Sequence, residues 1–103
     1  MRIRAGGAGG TLRLYLDGEL DHHAARRAMG EIEDYIDSRL PRDCVLDLGG
    51  LSFMDSSGIA VILKTWRRMH DIGGRTSVEG AEGQPRRVID AAGIERLIPV
   101  SAD

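Results

Sequence analysis

Two adjacent serine hydroxyls, Ser56 and Ser57, lie in the segment LDLGGLSFMDSSGIAVIL at residues 46–63. Aliphatic runs precede and follow them, so the pattern places both serines between a buried strand and the first turn of a buried helix. The first N–H groups of a helix lack intrahelical partners, and the positive end of the helix dipole favours negative charge. A phosphate esterified to Ser56 would be stabilised there, so this position has the chemistry of a phosphorylation switch.

A simpler interpretation is that the DSSG segment only caps the helix, since serines before helices are most often N-caps. A cap needs one hydroxyl, whereas this segment has two, with Asp55 before them and Gly58 after them leaving little bulk over the helix start. Asp55 has alternatives of its own. It orients the Ser56 hydroxyl or repels a phosphate, or it is a loop carboxylate that accepts backbone N–H bonds.

The elements that position this segment alternate along the chain. Residues 1–16 predict a hairpin around the turn GGAGG, and Asp21 is a plausible N-cap for a helix that ends near Ser38. The apolar stripe of this helix is Ala25, Met29, Ile32 and Ile36. CVLDL predicts a central strand, GGLSFMD a loop, and residues 56–71 a second helix ending before Gly73. Its expected inward face is Ile59, Ile62, Leu63, Trp66 and Met69.

The last third predicts a strand at RTSVEG and a short helix opened by Pro85, with Val88, Ile89 and Ala92 inward and Gly93 at its end. Residues 94–100 form either a further helical turn or an edge strand. Strands that alternate with helices indicate an α/β fold. We expect a mixed sheet with an antiparallel N-terminal hairpin and later parallel strands, packed with helices.

Length and composition restrict the function classes. A chain of 103 residues fits one domain over residues 1–103, and its single cysteine, Cys44, lies in an apolar run and is expected to be a buried thiol in a reducing cytosol. No charged-then-apolar leader opens the sequence, and the uncharged stretch at 56–63 is too short to span a bilayer, so we expect a cytoplasmic protein without a membrane partner. Sixteen acidic and fourteen basic side chains give a net charge of −2, which argues against nucleic acid as a partner.

Two enzymatic or metal-binding alternatives are not favoured. A serine hydrolase would pair Ser56 with a histidine and an acid, but DSSG is not the G-x-S-x-G pattern of a nucleophile elbow. His22 and His23 are adjacent on a predicted helix, so their side chains point in different directions, and no cysteine or carboxylate cluster surrounds His70. We therefore predict no catalytic residue, no metal and no cofactor.

A second segment, GELDHH at residues 18–23, contains Glu19 and Asp21. From the residues alone, Asp21 is an N-cap and Glu19 a solvated loop residue. Together with DSSG at the matching spacing, this segment resembles the STAS domains, and among them the bacterial anti-sigma factor antagonists of the sporulation sigma-F type. The segments IGG at 72–74 and P-x-x-V-I-D-x-x-G at 85–93 extend the resemblance over nearly the whole chain.

The resemblance implies a regulatory binding protein that is a kinase substrate. In that family the first serine of DSSG, here Ser56, is phosphorylated by the anti-sigma factor, which is itself a serine kinase. The unphosphorylated antagonist binds the anti-sigma factor and frees the sigma factor, and a PP2C-type phosphatase restores this form. The GELDHH loop then lies beside DSSG at one end of the sheet. The residues expected to contact the partner are Glu19, Asp21, Asp55, Ser57, Gly58 and Ile59.

An alternative within the same family is a STAS module of another assembly, such as a general-stress sigma pathway or a transporter accessory. In that case Ser56 would be vestigial or serve only as a cap, and the phosphorylation switch would not operate. The family commonly has glycine where this chain has Ala60, on the turn of the helix that is expected to face the partner. The added methyl favours the helix and changes the contact surface slightly.

Overall fold

Five strands form one mixed sheet in the computed structural model, which describes residues 1–102. The elements, in chain order, are β1 (Arg2–Gly6), β2 (Thr11–Leu20), α1 (His22–Arg39), β3 (Asp43–Met54), α2 (Ser56–Asp71), β4 (Arg75–Glu79), α3 (Gly83–Ala92), a 3-10 turn (Ile94–Arg96) and β5 (Val100–Ser101). The strands lie side by side in that order, with β1 antiparallel to β2 and every later pair parallel. This confirms the predicted α/β class and the mixed sheet.

The two faces of the sheet have opposite character because side chains alternate along each strand. Every second residue of the first half of β2 is a leucine that is at most 1% exposed: Leu12, Leu14 and Leu16. These leucines join the core under the helices. On the other face, the Arg13 guanidinium donates to Asp47 on β3 at 3.1 Å and to Glu79 on β4 at 3.0 Å. One arginine thus links three neighbouring strands.

The segment GGLSFMD, predicted as a loop, is mostly strand. β3 continues through residues 49–54 and remains paired with β2, whose end is also extended, until Leu20 pairs with Met54. Two register shifts interrupt this ladder, and Gly50 lies opposite Asp17, where a Cβ would overlap the Asp17 carboxylate. The glycine therefore serves a close approach of two strands at a bulge, and not a turn, which explains why the loop prediction was wrong.

Helix α2 has the predicted bounds, but the predicted inward face is rotated from the observed one. Leu63 is 38% exposed, and Ile59 and Trp66 are only half-buried. The buried residues of α2 are Gly58, Val61, Ile62, Thr65 and Met69. The prediction included only large apolar residues, so it omitted Gly58 and Thr65. Thr65 can be buried because its hydroxyl donates to the Val61 carbonyl at 2.8 Å.

The remaining elements follow the expectations closely. Asp21 caps α1, whose buried residues are Ala28, Met29, Ile32 and Ile36, with Ala25 half-buried where it was expected inside. In α3, Ile89 is buried and Val88 half-buried, but Ala92 is exposed, contrary to the prediction. The segment after Gly93 forms both of the predicted alternatives, a 3-10 turn and then the edge strand β5. Cys44 is 1% exposed, and burial raises the pKa of its thiol to about 12.

Candidate functional site

The two sequence motifs meet where β2 and β3 end. Leu20 pairs with Met54, and the Asp55 N–H lies 3.4 Å from the Leu20 carbonyl oxygen, to which it donates. Helices α1 and α2 therefore begin side by side at one edge of the sheet. The expected adjacency of GELDHH and DSSG is confirmed by this geometry.

Asp55 connects the starts of both helices. It is the N-cap of α2, and its Oδ1 accepts the Ser57 N–H at 2.8 Å. Its Oδ2 accepts the His22 N–H at 3.2 Å, in the first turn of α1. Of the three roles considered for this carboxylate, the structure shows the acceptor of backbone N–H bonds, at a helix N-cap and not in a loop. Because one carboxylate satisfies donors of two helices, it also sets their relative position.

Ser56 is the first residue of α2 and is exposed to solvent. The cap of this helix is Asp55, so neither Ser56 nor the half-buried Ser57 is needed for that purpose. Within residues 1–102 the Ser56 hydroxyl has no hydrogen-bond partner, and this includes the histidines that a hydrolase dyad would require. The interpretation of these serines as caps is therefore wrong, because the helix begins at Ser56 and Asp55 occupies the N-cap position.

The acidic residues of GELDHH are in different environments. Asp21 accepts the N–H groups of His23 and Ala24, both at 3.0 Å, as the N-cap of α1. The bond from Ala24, and then that from His23, holds the pKa of the Asp21 carboxyl below its ordinary value. Glu19 is exposed and lies in β2, opposite Phe53 in the ladder, and not in a loop as predicted.

Gly58 lies behind this surface. It is buried, and a Cβ at this position would overlap the Met54 side chain and stand 3.3 Å from Leu20 Cδ2. Its absence of a side chain lets the first turn of α2 rest directly on the ends of β2 and β3. The half-buried Ile59 follows it. Gly58 thus supports the position of Ser56, whereas Glu19 and Ser56 are the most exposed of the residues expected to contact a partner.

Gln84 is a positioning residue that the sequence reasoning missed. β4 ends opposite Asp47, so the last part of β3 has no strand on that side. The Gln84 side chain takes its place: Oε1 accepts the Met54 N–H at 2.8 Å, and Nε2 donates to the Met54 carbonyl at 2.7 Å. One amide from α3 thereby holds the residue that precedes Asp55. No local pattern identifies such a contact, because its partners are 30 residues apart.

Phe53 was also missed. It is the single phenylalanine of the chain, it is 37% exposed, and it stands next to the motif and opposite Glu19. The sequence predicts a loop at this residue, and a loop does not define which way a side chain points. In the observed strand, Phe53 lies between the buried Met54 and the exposed Ser52. Because side chains alternate along a strand, its ring lies on the face of the sheet opposite Met54.

Two grooves of similar size flank α1. The first, here called the acidic groove, has a volume of about 480 Å³, and its charged and titratable lining residues are Glu19, Asp21, His23, Arg27 and Glu31. The second, here called the helical groove, has a volume of about 460 Å³ and lies between α1 and α2. Its charged and titratable lining residues are His22, Arg26, Glu33 and Lys64. The two grooves therefore carry different charge, although they share one helix.

The histidines do not converge on a site. The rings of His22 and His23 lie 4.0 Å apart, centroid to centroid, so the prediction that these side chains point in different directions is wrong. His70 stacks on Trp66 at 5.2 Å, near the other end of α2. In the part of the chain that the structure describes, no three histidine, cysteine or acidic side chains are grouped to hold a metal ion. Among the helices of residues 1–102, none has the length and hydropathy that a membrane span requires.

The region of the chain that contains the sheet and both helix starts matches one sequence family. Residues 2–103 match the profile of the STAS domain. The chain belongs to the STAS domain family. Among its relatives, the anti-sigma F factor antagonist of Paenibacillus polymyxa is 34% identical to this STAS domain over 91 residues, which cover 88% of this chain and 78% of that protein.

Solved structures of one relative exist in two chemical states. The anti-sigma factor antagonist SpoIIAA in its unphosphorylated form is 27% identical, has a TM-score of 0.81, and matches over 96% of this STAS domain and 87% of that chain. The Bacillus cell fate determinant SpoIIAA in the phosphorylated form has a TM-score of 0.72 at the same identity, over 96% of this chain and 90% of that one. The fold described here is thus that of a protein known with and without phosphate.

Proposed function

We propose that this STAS domain is an anti-sigma factor antagonist whose binding is switched off by phosphorylation of Ser56. The observation that carries the proposal is the state of the Ser56 hydroxyl, which is exposed and free of hydrogen bonds within residues 1–102 at the start of a helix capped by another residue. Phosphorylation of this oxygen would therefore disrupt no hydrogen bond within residues 1–102. The similarity to relatives named anti-sigma factor antagonists supports the same function.

The proposed partners are an anti-sigma factor with serine kinase activity and a PP2C-type phosphatase. The kinase transfers the phosphoryl group from ATP to Ser56 and the phosphatase removes it, so the chemistry belongs to these partners and this chain is their substrate. The contact surface consists of the exposed start of α2 together with Glu19 near the end of β2 and Asp21 at the neighbouring start of α1. Asp55 holds the two parts of this surface in register through its bonds to Ser57 and His22.

The phosphate acts locally. It adds about −1.5 to −2 charges at neutral pH. The sequence favoured stabilisation of this charge by free N–H groups, but the Ser57 N–H is already bound to Asp55 Oδ1, and the Gly58 N–H donates to the Asp55 carbonyl at 3.0 Å. The phosphate therefore stands next to the Asp55 carboxylate, and two N–H groups of the first turn are not available to it. Water supplies much of its solvation. A partner that covers Ser56 must remove that water, which weakens the complex without refolding the domain.

Phosphorylation is tested directly with the anti-sigma factor of the same organism and ATP, followed by mass spectrometry of the modified site. We expect one phosphate on the wild type and on the matched control Ser57→Ala, and none on Ser56→Ala. Equal phosphorylation of Ser56→Ala, or an unmodified wild type, contradicts the proposal. The second of these results favours a STAS module of another assembly.

Binding is tested with Ser56→Asp, which places one negative charge at the same position. We expect the Kd for the anti-sigma factor to rise at least about fivefold, since an unpaired buried charge costs about 1 to 3 kcal/mol or more. The Tm should change little because Ser56 is exposed. Ala91→Asp adds the same charge on the exposed side of α3 and should bind like the wild type. An unchanged Kd for Ser56→Asp argues against the mechanism.

A further inference from the structure

The helical groove begins beside the proposed switch and has an apolar floor. Ser57 and His22 line its end near Ser56, and Lys64 lines it farther along α2. The floor consists of small or apolar residues from both helices: Ala25, Met29, Gly30, Ala60 and Val61. A groove of this kind accepts a partner segment that carries apolar side chains on one side.

The cations of this groove are not neutralised by the protein. Among residues 1–102, Arg26 and Lys64 form no ion pair, although each is on a helix where other arginines are paired. The paired groups on α1 and α2 are Arg27 with Glu31, Arg67 with Asp71, and Arg68 with Asp37. Glu33 is the one acid that lines the groove. In a chain with a net charge of −2, this is a local positive surface.

Gly30 keeps the floor of the groove open. It lies in the middle of α1, is exposed, and a Cβ added to it would meet nothing within 4 Å. A glycine inside a helix lowers stability relative to alanine, and here no close packing requires it. The packing of the domain thus gives no reason for a glycine here, and a side chain much larger than that of alanine at this position would fill the groove.

We propose that the helical groove docks an acidic segment of the anti-sigma factor, with apolar side chains on the floor and carboxylates against Arg26 and Lys64. This inference rests on the proposed function and adds the chemistry of the partner's contact segment. Because the groove begins at Ser57, a phosphate on Ser56 stands at its end and repels the same acidic segment. The switch and the groove then act on one interface.

Charge reversal tests the electrostatic part. We expect Arg26→Glu and Lys64→Glu each to raise the Kd for the anti-sigma factor at least about tenfold in low salt, and to reduce the salt dependence of binding. Arg87→Glu is the matched control, since Arg87 is exposed on α3 and has no ion pair within residues 1–102. It should stay within about twofold of the wild type.

Filling the groove tests the apolar part at a single position. Gly30→Ala and Gly30→Trp should both raise the Tm because both remove a helix glycine. Gly30→Ala leaves the groove open and should bind like the wild type, whereas Gly30→Trp should bind at least about tenfold more weakly. Because Gly30→Trp should raise the Tm while it lowers the affinity, misfolding cannot explain the weaker binding.

The outcomes separate the two proposals. If the wild type binds the anti-sigma factor and Ser56→Asp weakens binding, but the reversed charges and Gly30→Trp bind normally, the groove inference is overturned and the proposed function stands. If the wild type does not bind the anti-sigma factor, both are overturned. Weakened binding of Arg26→Glu, Lys64→Glu and Gly30→Trp, with normal binding of both controls, supports the groove as the docking surface.

Discussion

The two grooves beside α1 differ in charge and in pairing, although their volumes of about 480 and 460 Å³ are nearly equal. In the acidic groove, Arg27 pairs with Glu31 at 3.5 Å and the Asp21 carboxylate is occupied as a helix cap. In the helical groove, Arg26 and Lys64 have no ion pair within residues 1–102. Volume therefore does not distinguish the two grooves. The unpaired cations of the helical groove do, because an occupant would have to supply the negative charge that pairs with them.

The two grooves also differ in the structural elements that determine their shape. The acidic groove is lined by α1 and by residues at or near β1 and β2, whereas the helical groove depends on the spacing of α1 and α2. Gly58 and Asp55 set that spacing, the first by close packing and the second by its bond across to His22. Substitutions at these two positions should therefore affect the helical groove first.

The largest effect is expected for Gly58→Ala. The new methyl group overlaps Met54 beneath the first turn of α2, and overpacking of this kind costs about 1 to 3 kcal/mol. The helix start should move away from the sheet, so the affinity for the anti-sigma factor should fall as well. Urea denaturation gives the free energy of unfolding. Gly30→Ala is the control, since it adds the same methyl group at an exposed helix position where nothing lies within 4 Å of the new Cβ. Wild-type stability for Gly58→Ala would show that the packing described here is incorrect.

Asp55→Ala should have the next largest effect. It removes the cap of α2 and the bond to the start of α1, and loss of a cap costs about 1 to 2 kcal/mol. Asp55→Asn keeps one acceptor for Ser57 but cannot accept the His22 N–H with its amide nitrogen. It should therefore lose less stability and still disturb the helical groove. Equal stability of all three proteins, measured by thermal unfolding, contradicts the bridging role.

Arg27→Glu sharpens the comparison because Arg27 and Arg26 are neighbours on one helix and line different grooves. The Arg27 side chain is 86% exposed and already paired, so reversal of its charge should leave the affinity for the anti-sigma factor within about twofold. Arg26→Glu, with the same change of charge, should weaken binding strongly. Equal losses for both variants would mean that net charge, and not the groove, determines the affinity.

The smallest effect is a pH dependence at Asp21. Helix N–H bonds lower the pKa of this carboxyl below its ordinary value of 3.8, so the folded protein binds the proton less readily than the unfolded chain. The resulting stabilisation is present above pH 3.8 and is lost as the pH falls through the lowered pKa. The stability difference between wild type and Asp21→Asn should shrink over this window. A difference that does not change with pH contradicts the assignment.

Much of the fold and part of the site were predictable from local pattern. Alternation and helical spacing gave the order of the elements, and Asp21 and Gly93 marked helix ends correctly. Errors arose where glycine had a tertiary role. Gly50 was assigned to a loop because its close approach to Asp17 involves a neighbouring strand, and Gly58 was not counted as core because its partner is the preceding strand end.

Residue order along the chain was sufficient to place Ser56 at the start of α2, because an aspartate, two serines and a glycine before an aliphatic run specify a helix beginning through local hydrogen bonds. The bond from the second Asp55 oxygen to the start of α1 depends on bringing together backbones 33 residues apart. The same holds for the Gln84 amide on Met54 and for the helical groove. Contacts between distant segments follow from packing, and no local periodicity encodes them.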